Sequence, residues 1–286
     1  MKIGLIGTGL MGGAMAKKLA ADEHEVLVYN RTRERALPLQ NLGIRIASSA
    51  LEVIQSSDYT ILMLADYSAI CETLFQSKTI ANWSGKTIIQ MGTIAPTESL
   101  ALQRQISATG GTYLEAPVLG SIAEVNAGRL IVMVGGDANQ FERCQSLFAN
   151  FTEKPLLVGP VGTAAALKLA LNQLIASLTI AFSLSLSYVQ RSGVSVELFM
   201  DILRQSALHA PTFDKKLSRM LSRNFSNPNF PTKHLLKDID LILNAITEAG
   251  LETAGLLGVR SVIAKAIQMG EGDSDYSAIY NAINPA

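Results

Sequence analysis

Up to residue 158 the chain alternates short apolar runs with stretches of helical period. The runs Lys2–Ile6, Glu25–Tyr29, Tyr59–Leu64, Thr87–Gln90, Thr112–Glu115, Leu130–Val134 and Pro155–Val158 are rich in β-branched and aromatic residues and read as strands. Between the first two, Met11, Met15 and Leu19 recur at helical spacing around Ala14, one apolar stripe to lay on a sheet. Strand, helix and strand in that order form a βαβ unit, and its repetition predicts an α/β region with parallel strands. After Gly159 the alternation stops. Helices are predicted over Thr163–Arg191, Val196–Gln205, Pro211–Ser222, Thr232–Ala249 and Thr253–Gln268, with Pro211 at a start and Gly193 and Gly250 just past C-terminal turns. Two domains follow, 1–160 and 161–286, and 286 residues suffice for a core in each.

Composition narrows the class without naming a function. Apolar residues make up 48% of the chain and 24 basic residues balance 24 acidic ones, so no nucleic-acid partner is expected. Cys71 and Cys144 lie far apart with no CxxC, and His24, His209 and His234 are scattered, so neither a disulfide framework nor a metal site is expected. The first residues lack the pattern of an export signal, and the expected location is cytoplasmic. One segment, 163–189, is long and apolar. Lys168, Asn172, Gln173, Ser177, Thr179, Ser183, Ser185 and Ser187 interrupt it, so it reads as a buried helix against the other domain or another subunit, not a membrane span. A homo-oligomer, dimer or tetramer, is the corresponding expectation.

Gly7-Thr8-Gly9-Leu10-Met11-Gly12 follows a strand and opens a helix, the context in which GxGxxG carries weight. Gly7 permits a tight turn, Gly9 lets backbone N–H groups approach a pyrophosphate, and Gly12 allows helix to pack on strand. The fold class is therefore an N-terminal Rossmann doubly wound sheet followed by an all-α C-terminal domain, joined by a long helix. A glycine-rich turn without ligand is the plain alternative. The second strand ends in Asn30-Arg31-Thr32, where an NAD-selective site would place a carboxylate for the ribose 2′-OH. Arg31 instead offers a cationic fork to a 2′-phosphate and Thr32 a hydroxyl, which predicts NADP(H). Arg31, Arg33 and Arg35 could otherwise form a solvated helical turn.

The candidates for chemistry are lysines. Lys168 lies one turn into the long helix with Asn172 four residues on, on the same face. A lysine amid Ala and Leu is costly to bury unless paired, though from a first turn it can also reach solvent. Lys237 is similar: Leu235, Ile239, Ile242 and Ile246 form the core stripe of its helix, and a solvated Lys237–Asp240 pair is the plain alternative.

Together these segments resemble the β-hydroxyacid dehydrogenase family, which includes 3-hydroxyisobutyrate dehydrogenases and glyoxylate/succinic semialdehyde reductases. The likeness covers nearly the whole chain through GLIGTGLMG at 4–12, NRT at 30–32, GTIAP at 92–96, EAPVLGS at 115–121, GPVGTAAALKLALN at 159–172 and FPTKHLLKD at 230–238. The resemblance implies that Lys168 is the catalytic acid/base, that Asn172 holds the substrate and that Lys237 contacts the cofactor. It implies Thr93 beside the nicotinamide and the substrate, Leu119, Gly120 and Ser121 in the loop receiving a substrate carboxylate, and Leu64, Ala65, Asp66 and Phe230 as further cofactor contacts beside Gly7, Gly9, Leu10, Met11, Gly12, Asn30, Arg31 and Thr32. Two positions depart: Leu119 stands where the family often has serine, and Ala164 where it has glycine. The implied activity is NADPH-dependent interconversion of a small aldehyde or keto acid and its hydroxy acid. Imine reduction on the same fold is a rival, but those relatives generally lack the lysine. A catalytically silent NADP-binding module, as in relatives fused to chromatin-binding domains, is the rival from another class.

Overall fold

The computed structural model describes residues 1–75 and 82–285. They form two compact units, Met1–Lys168 and Leu169–Ala286. This division by contacts falls inside the long helix.

Among the described residues the first unit carries nine strands: β1 (Lys2–Ile6), β2 (Glu25–Tyr29), β3 (Arg45–Ile46), β4 (Tyr59–Leu62), β5 (Thr87–Gln90), β6 (Thr112–Glu115), β7 (Val118–Leu119), β8 (Ile131–Gly135) and β9 (Leu156–Gly159). Its helices are α1 (Leu10–Ala21), α2 (Leu37–Gln40), α3 (Ala50–Ser56), α4 (Tyr67–Phe75), α5 (Pro96–Ala108), α6 (Ile122–Asn126) and α7 (Ala138–Phe148). The sheet order is β3-β2-β1-β4-β5-β6-β8-β7, with β9 also on β8. From β3 to β6 every pairing is parallel. Beyond that point the parallel pattern expected from the alternation gives way. β8 runs antiparallel to both β6 and β7, because the chain between β6 and β8 folds back through β7 and the five-residue α6 and makes no crossover on the sheet. β3 and β7 are two residues each, too short for a period to register in sequence.

Helices cover both faces of the sheet, which is why its strands read as near-continuous apolar runs. Ile3 and Leu5 of β1 join Met15, Leu19 and Phe148 in one core, while Ile6 joins Val53, Leu62 and Leu102 in another, as alternation along a strand requires. Met15 and Leu19 are fully buried, so the stripe on α1 lies on the sheet as its spacing predicts.

The helix α8 (Thr163–Arg191) begins in the first unit and continues into the second, which adds α9 (Val196–Gln205), α10 (Pro211–Ser222), α11 (Thr232–Glu248), α12 (Ala254–Ala266) and α13 (Ile279–Ile283). Leu169 and Ala176 of α8 pack with Leu235, Ile239 and Ile263, and Phe182 and Leu186 pack with Met200, Phe213 and Met220. Leu174, Leu184 and Tyr188 of α8 are exposed, so the helix is not buried all round. Two of its hydroxyls are absorbed locally: Thr179 donates to the Ile175 carbonyl and Ser187 to that of Ser183. Among the described residues α8 is the one helix long and apolar enough to cross a membrane, by length and composition alone. A buried ion pair braces this unit. Lys216 Nζ of α10 lies 2.7 and 2.9 Å from the two oxygens of Asp275, itself fully buried, and 4.2 Å from the centre of the Tyr276 ring.

Candidate active site

The glycine loop is shaped by space as much as by torsion. Gly7 has φ +101°, and a Cβ there would stand 2.3 Å from the Met63 carbonyl oxygen. At Gly12 a Cβ would be 1.9 Å from the Gly7 oxygen, so only glycine lets α1 start this close to β1. Gly9 differs, with nothing within 4 Å of the position a Cβ would take. The backbone there is open to a ligand. Helix α1 has no side-chain cap and no acidic residue in its first turn, leaving its leading N–H groups and positive end for an anion. The Thr8 hydroxyl is buried without a partner in the structure, a second polar group at the loop that a bound pyrophosphate would satisfy. Leu10 is exposed and Met11 half-buried.

Asn30, at the end of β2, braces this loop with both ends of its amide: Oδ1 accepts from Thr8 N at 3.0 Å and Nδ2 donates to the Thr32 carbonyl at 2.8 Å. Arg31 and Thr32 are exposed beyond it. The structure brings one charge that sequence did not pair with Arg31: Glu72 of α4, whose Oε2 lies 3.3 Å from Arg31 Nη1. The pair is exposed and loose, the kind worth about 0–1 kcal/mol, so a phosphate can displace it. Arg31→Asp is expected to exchange cofactor preference, lowering kcat/KM for NADPH and raising it for NADH; steady-state kinetics with both cofactors check this, and an unchanged ratio contradicts it.

Leu64, Ala65 and Asp66 follow β4, and Asp66 Oδ1 accepts from Ala69 N at 2.8 Å at the start of α4. Thr93 is half-buried three residues past β5. The loop Gly7–Gly12, Asn30–Thr32, Leu64–Asp66 and Thr93 thus all lie at the carboxyl ends of neighbouring parallel strands, where the order reverses on either side of β1. Ligands of open α/β sheets bind at that crevice. At the same edge β7 delivers half-buried Leu119, Gly120 at φ +135° and Ser121. Ser121 caps α6: its N and Oγ both donate to Glu124 Oε2, at 2.7 and 2.6 Å.

The second unit holds a buried polar cluster of its own. Asn172 is 2% exposed, and its Nδ2 donates to Asp238 Oδ2 at 2.6 Å. Asp238 is equally buried, and its Oδ1 lies 2.9 Å from Lys237 Nζ. In sequence the signal for that carboxylate is slight, an acid beside a lysine on a core helix. Lys237 therefore pairs with Asp238, while Asp240 takes Arg260 at 2.5 Å. Because Nδ2 is committed to a carboxylate, the amide orientation of Asn172 follows, and its buried Oδ1 is left as an acceptor without a partner. Leaving such an atom unmet costs about 1–3 kcal/mol. Burial, with Lys237 and Lys233 adding to it, pulls the His234 imidazole below its ordinary pKa. Phe230 meets the Tyr276 ring edge-on at 6.0 Å. Lys168 is half-buried, one turn before Asn172. No cluster able to hold a metal ion occurs among the described residues.

Residues 2–159 match the family model for the NAD binding domain of 6-phosphogluconate dehydrogenase, and residues 162–283 that for the NAD-binding region of NADP-dependent 3-hydroxyisobutyrate dehydrogenase. Glyoxylate/succinic semialdehyde reductase 1 of Arabidopsis thaliana is 33% identical over 99% of this chain and 98% of its own length. The chain belongs to the β-hydroxyacid dehydrogenase family. As a member it is an oxidoreductase of the NAD(P)-dependent hydroxyacid dehydrogenase type, acting on small molecules. The fold agrees: Mycobacterium tuberculosis 3-hydroxyisobutyrate dehydrogenase superposes with a TM-score of 0.86 at 22% identity, covering 99% of each chain. The imine reductase of Myxococcus stipitatus, covering 99% of this chain and all of its own at 20% identity, follows at 0.68. Within this β-hydroxyacid dehydrogenase, Gly7–Gly12, Asn30–Thr32 and Thr93 at the carboxyl edge of the sheet and the Asn172–Asp238–Lys237 cluster all belong to the motifs on which the sequence resemblance rests, while Leu64–Asp66 do not.

Proposed function

We propose that the chain is an NADPH-dependent reductase that interconverts a small aldehyde or keto acid, of semialdehyde or glyoxylate type, with its hydroxy acid, Lys168 acting as acid/base. The observation that carries this reading is the unmet, buried Asn172 oxygen one helical turn from a half-buried lysine. Asp238 fixes the amide, so the free oxygen is preset to accept from a substrate hydroxyl or an ammonium. NADPH, when bound, supplies the reducing chemistry. As carbonyl becomes alcohol, negative charge grows on its oxygen, and the Lys168 ammonium stabilises that charge and donates the proton. In the oxidative direction the same nitrogen must be neutral to take the proton up.

Preference for NADP(H) rests on exposed Arg31 and Thr32 and on the weakness of the Glu72 contact. Leu119 presents no hydroxyl to a substrate carboxylate, so recognition falls to Gly120 and Ser121, at the turn into α6. A second copy of the chain is the proposed partner, since α8 and α9 expose Leu174, Leu184, Tyr188, Leu198 and Ile202. Cytoplasmic location suits the two free cysteines, of which Cys144 is buried with its thiol pushed up to about 12 by burial. Following NADPH oxidation against glyoxylate, succinic semialdehyde, methylmalonate semialdehyde, tartronate semialdehyde and cyclic imines tests the reading. Turnover of at least one carbonyl above the imines is expected; imines alone point to imine reduction, and no turnover at all points to a silent cofactor-binding module.

A further inference from the structure

Glu115, the last residue of β6, is 1% exposed and takes no part in the cofactor edge. Its Oε1 accepts three backbone N–H groups at the start of α8: Gly162 at 2.8 Å, Ala164 at 2.8 Å and Ala165 at 3.2 Å. Its Oε2 accepts from the buried Ser99 hydroxyl, which also meets Tyr113 Oη at 2.8 Å. The neighbouring amides are satisfied within the chain, Thr163 N on the Pro160 carbonyl and Ala166 N on that of Gly162. A helix start leaves its first N–H groups orphaned and carries positive potential, so one buried carboxylate here completes the turn and is itself fully solvated by it. The sheet makes room for it. A Cβ on Gly135, paired across from Glu115 in β8, would stand 2.3 Å from Oε1, and Gly135 has no positive φ to require glycine otherwise.

The turn so anchored is the one that carries Lys168. Ala164 lies four residues before it, on the same helix face, and helical side chains lean toward the N-terminus over that turn. On the reading that Lys168 is the acid/base, we infer that Glu115 is its positioning residue, fixing the first turn of α8 to the sheet and with it the place of the ammonium. Reach, not charge, is what matters: the helix amides need an acceptor at that point in space. A misplacement of about 1 Å at a reacting group can cost about a hundredfold in rate.

Two variants separate reach from charge. Glu115→Asp keeps the charge and withdraws the carboxylate by one methylene; Glu115→Gln keeps the reach, its carbonyl facing the helix amides and its NH2 the Ser99 oxygen. Glu115→Asp is expected to lower kcat by about tenfold or more with the KM for NADPH unchanged, and to shift the alkaline limb of the pH profile for hydroxy-acid oxidation. Glu115→Gln is expected to recover most of the loss and to leave that limb in place. A folded Glu115→Asp protein with wild-type kcat and wild-type limb, even if its Tm falls, overturns the inference, as does a Glu115→Gln protein no better than Glu115→Asp. Trace acetylation of Lys168 against pH, read by mass spectrometry, needs no turnover. If the wild type reduces no carbonyl, the functional reading fails, and the acetylation profile still decides: displaced in Glu115→Asp alone it supports anchoring, identical in all three proteins it refutes it.

Discussion

Lys168→Ala is expected to lower kcat by at least about a hundredfold, the usual scale for loss of an acid–base group, while NADPH binds with wild-type Kd. The two halves of this expectation come from different parts of the chain. On the proposed reading, binding rests on the glycine loop, Asn30–Thr32 and the residues after β4 and β5, all at the carboxyl edge of the sheet. On the same reading, proton transfer rests on Lys168 alone. Alanine is a good helix former, and the first turn of α8 keeps its amides on Glu115, so the substitution removes an ammonium without loosening the helix. Steady-state kinetics with the best carbonyl of the panel, with fluorescence titration of NADPH, separates the halves. Wild-type turnover in the variant refutes the assignment of Lys168.

The largest stability effect is expected from Lys216→Met. Asp275 is fully buried; burial pushes its carboxyl up, but Lys216 and the hydrogen bonds from Ser277 outweigh that and hold it below the usual carboxylate range. Burial also pulls the Lys216 ammonium below its ordinary value against the opposing pull of Asp275. Removing the cation leaves an uncompensated buried charge, which costs about 3–5 kcal/mol. In a chain of this size each kcal/mol moves Tm by about 2–4 °C, so a fall of roughly 6 °C or more is expected by calorimetry. The sign with pH follows. A carboxyl held low in the folded state contributes stability above its unfolded pKa of about 4, and that contribution is lost as pH falls through the folded value. Without Lys216 the Asp275 pKa rises, so acid destabilisation of the variant must begin at higher pH than in the wild type. The double variant Lys216→Met/Asp275→Asn should regain part of the loss, because the amide oxygen still accepts from Ser277 N and its side chain while no charge remains to be paired. A Tm within a degree of wild type for Lys216→Met contradicts this account.

Local signals in the sequence carried most of the fold. The βαβ start was legible because Met15 and Leu19 obey one period and the flanking strands another, and the helices from Thr163 onward because Pro211, Gly193 and Gly250 punctuate them. Gly193 and Gly250 do sit at positive φ past helix ends. Non-local pairing left no such trace. The reversal of β8 depends on how the chain between β6 and β8 returns, and two-residue β3 and β7 carry no pattern at all. The same holds for polar partners. Asn172 and Lys237 stand out as polar residues on apolar helices, but their shared contact Asp238 is 66 residues from Asn172. Glu115 looks like an ordinary strand end until the fold sets it against α8, 47 residues on at Gly162. Glu72 meets Arg31 across 41 residues for the same reason.

The pH dependence of hydroxy-acid oxidation in the wild type and in Lys168→Arg bears most directly on the central claim. A guanidinium keeps the charge but does not give up its proton in this range. Wild-type kcat/KM is expected to climb on an alkaline limb as the Lys168 ammonium becomes neutral, and Lys168→Arg to be slow with that limb gone. An equal limb in both proteins contradicts it.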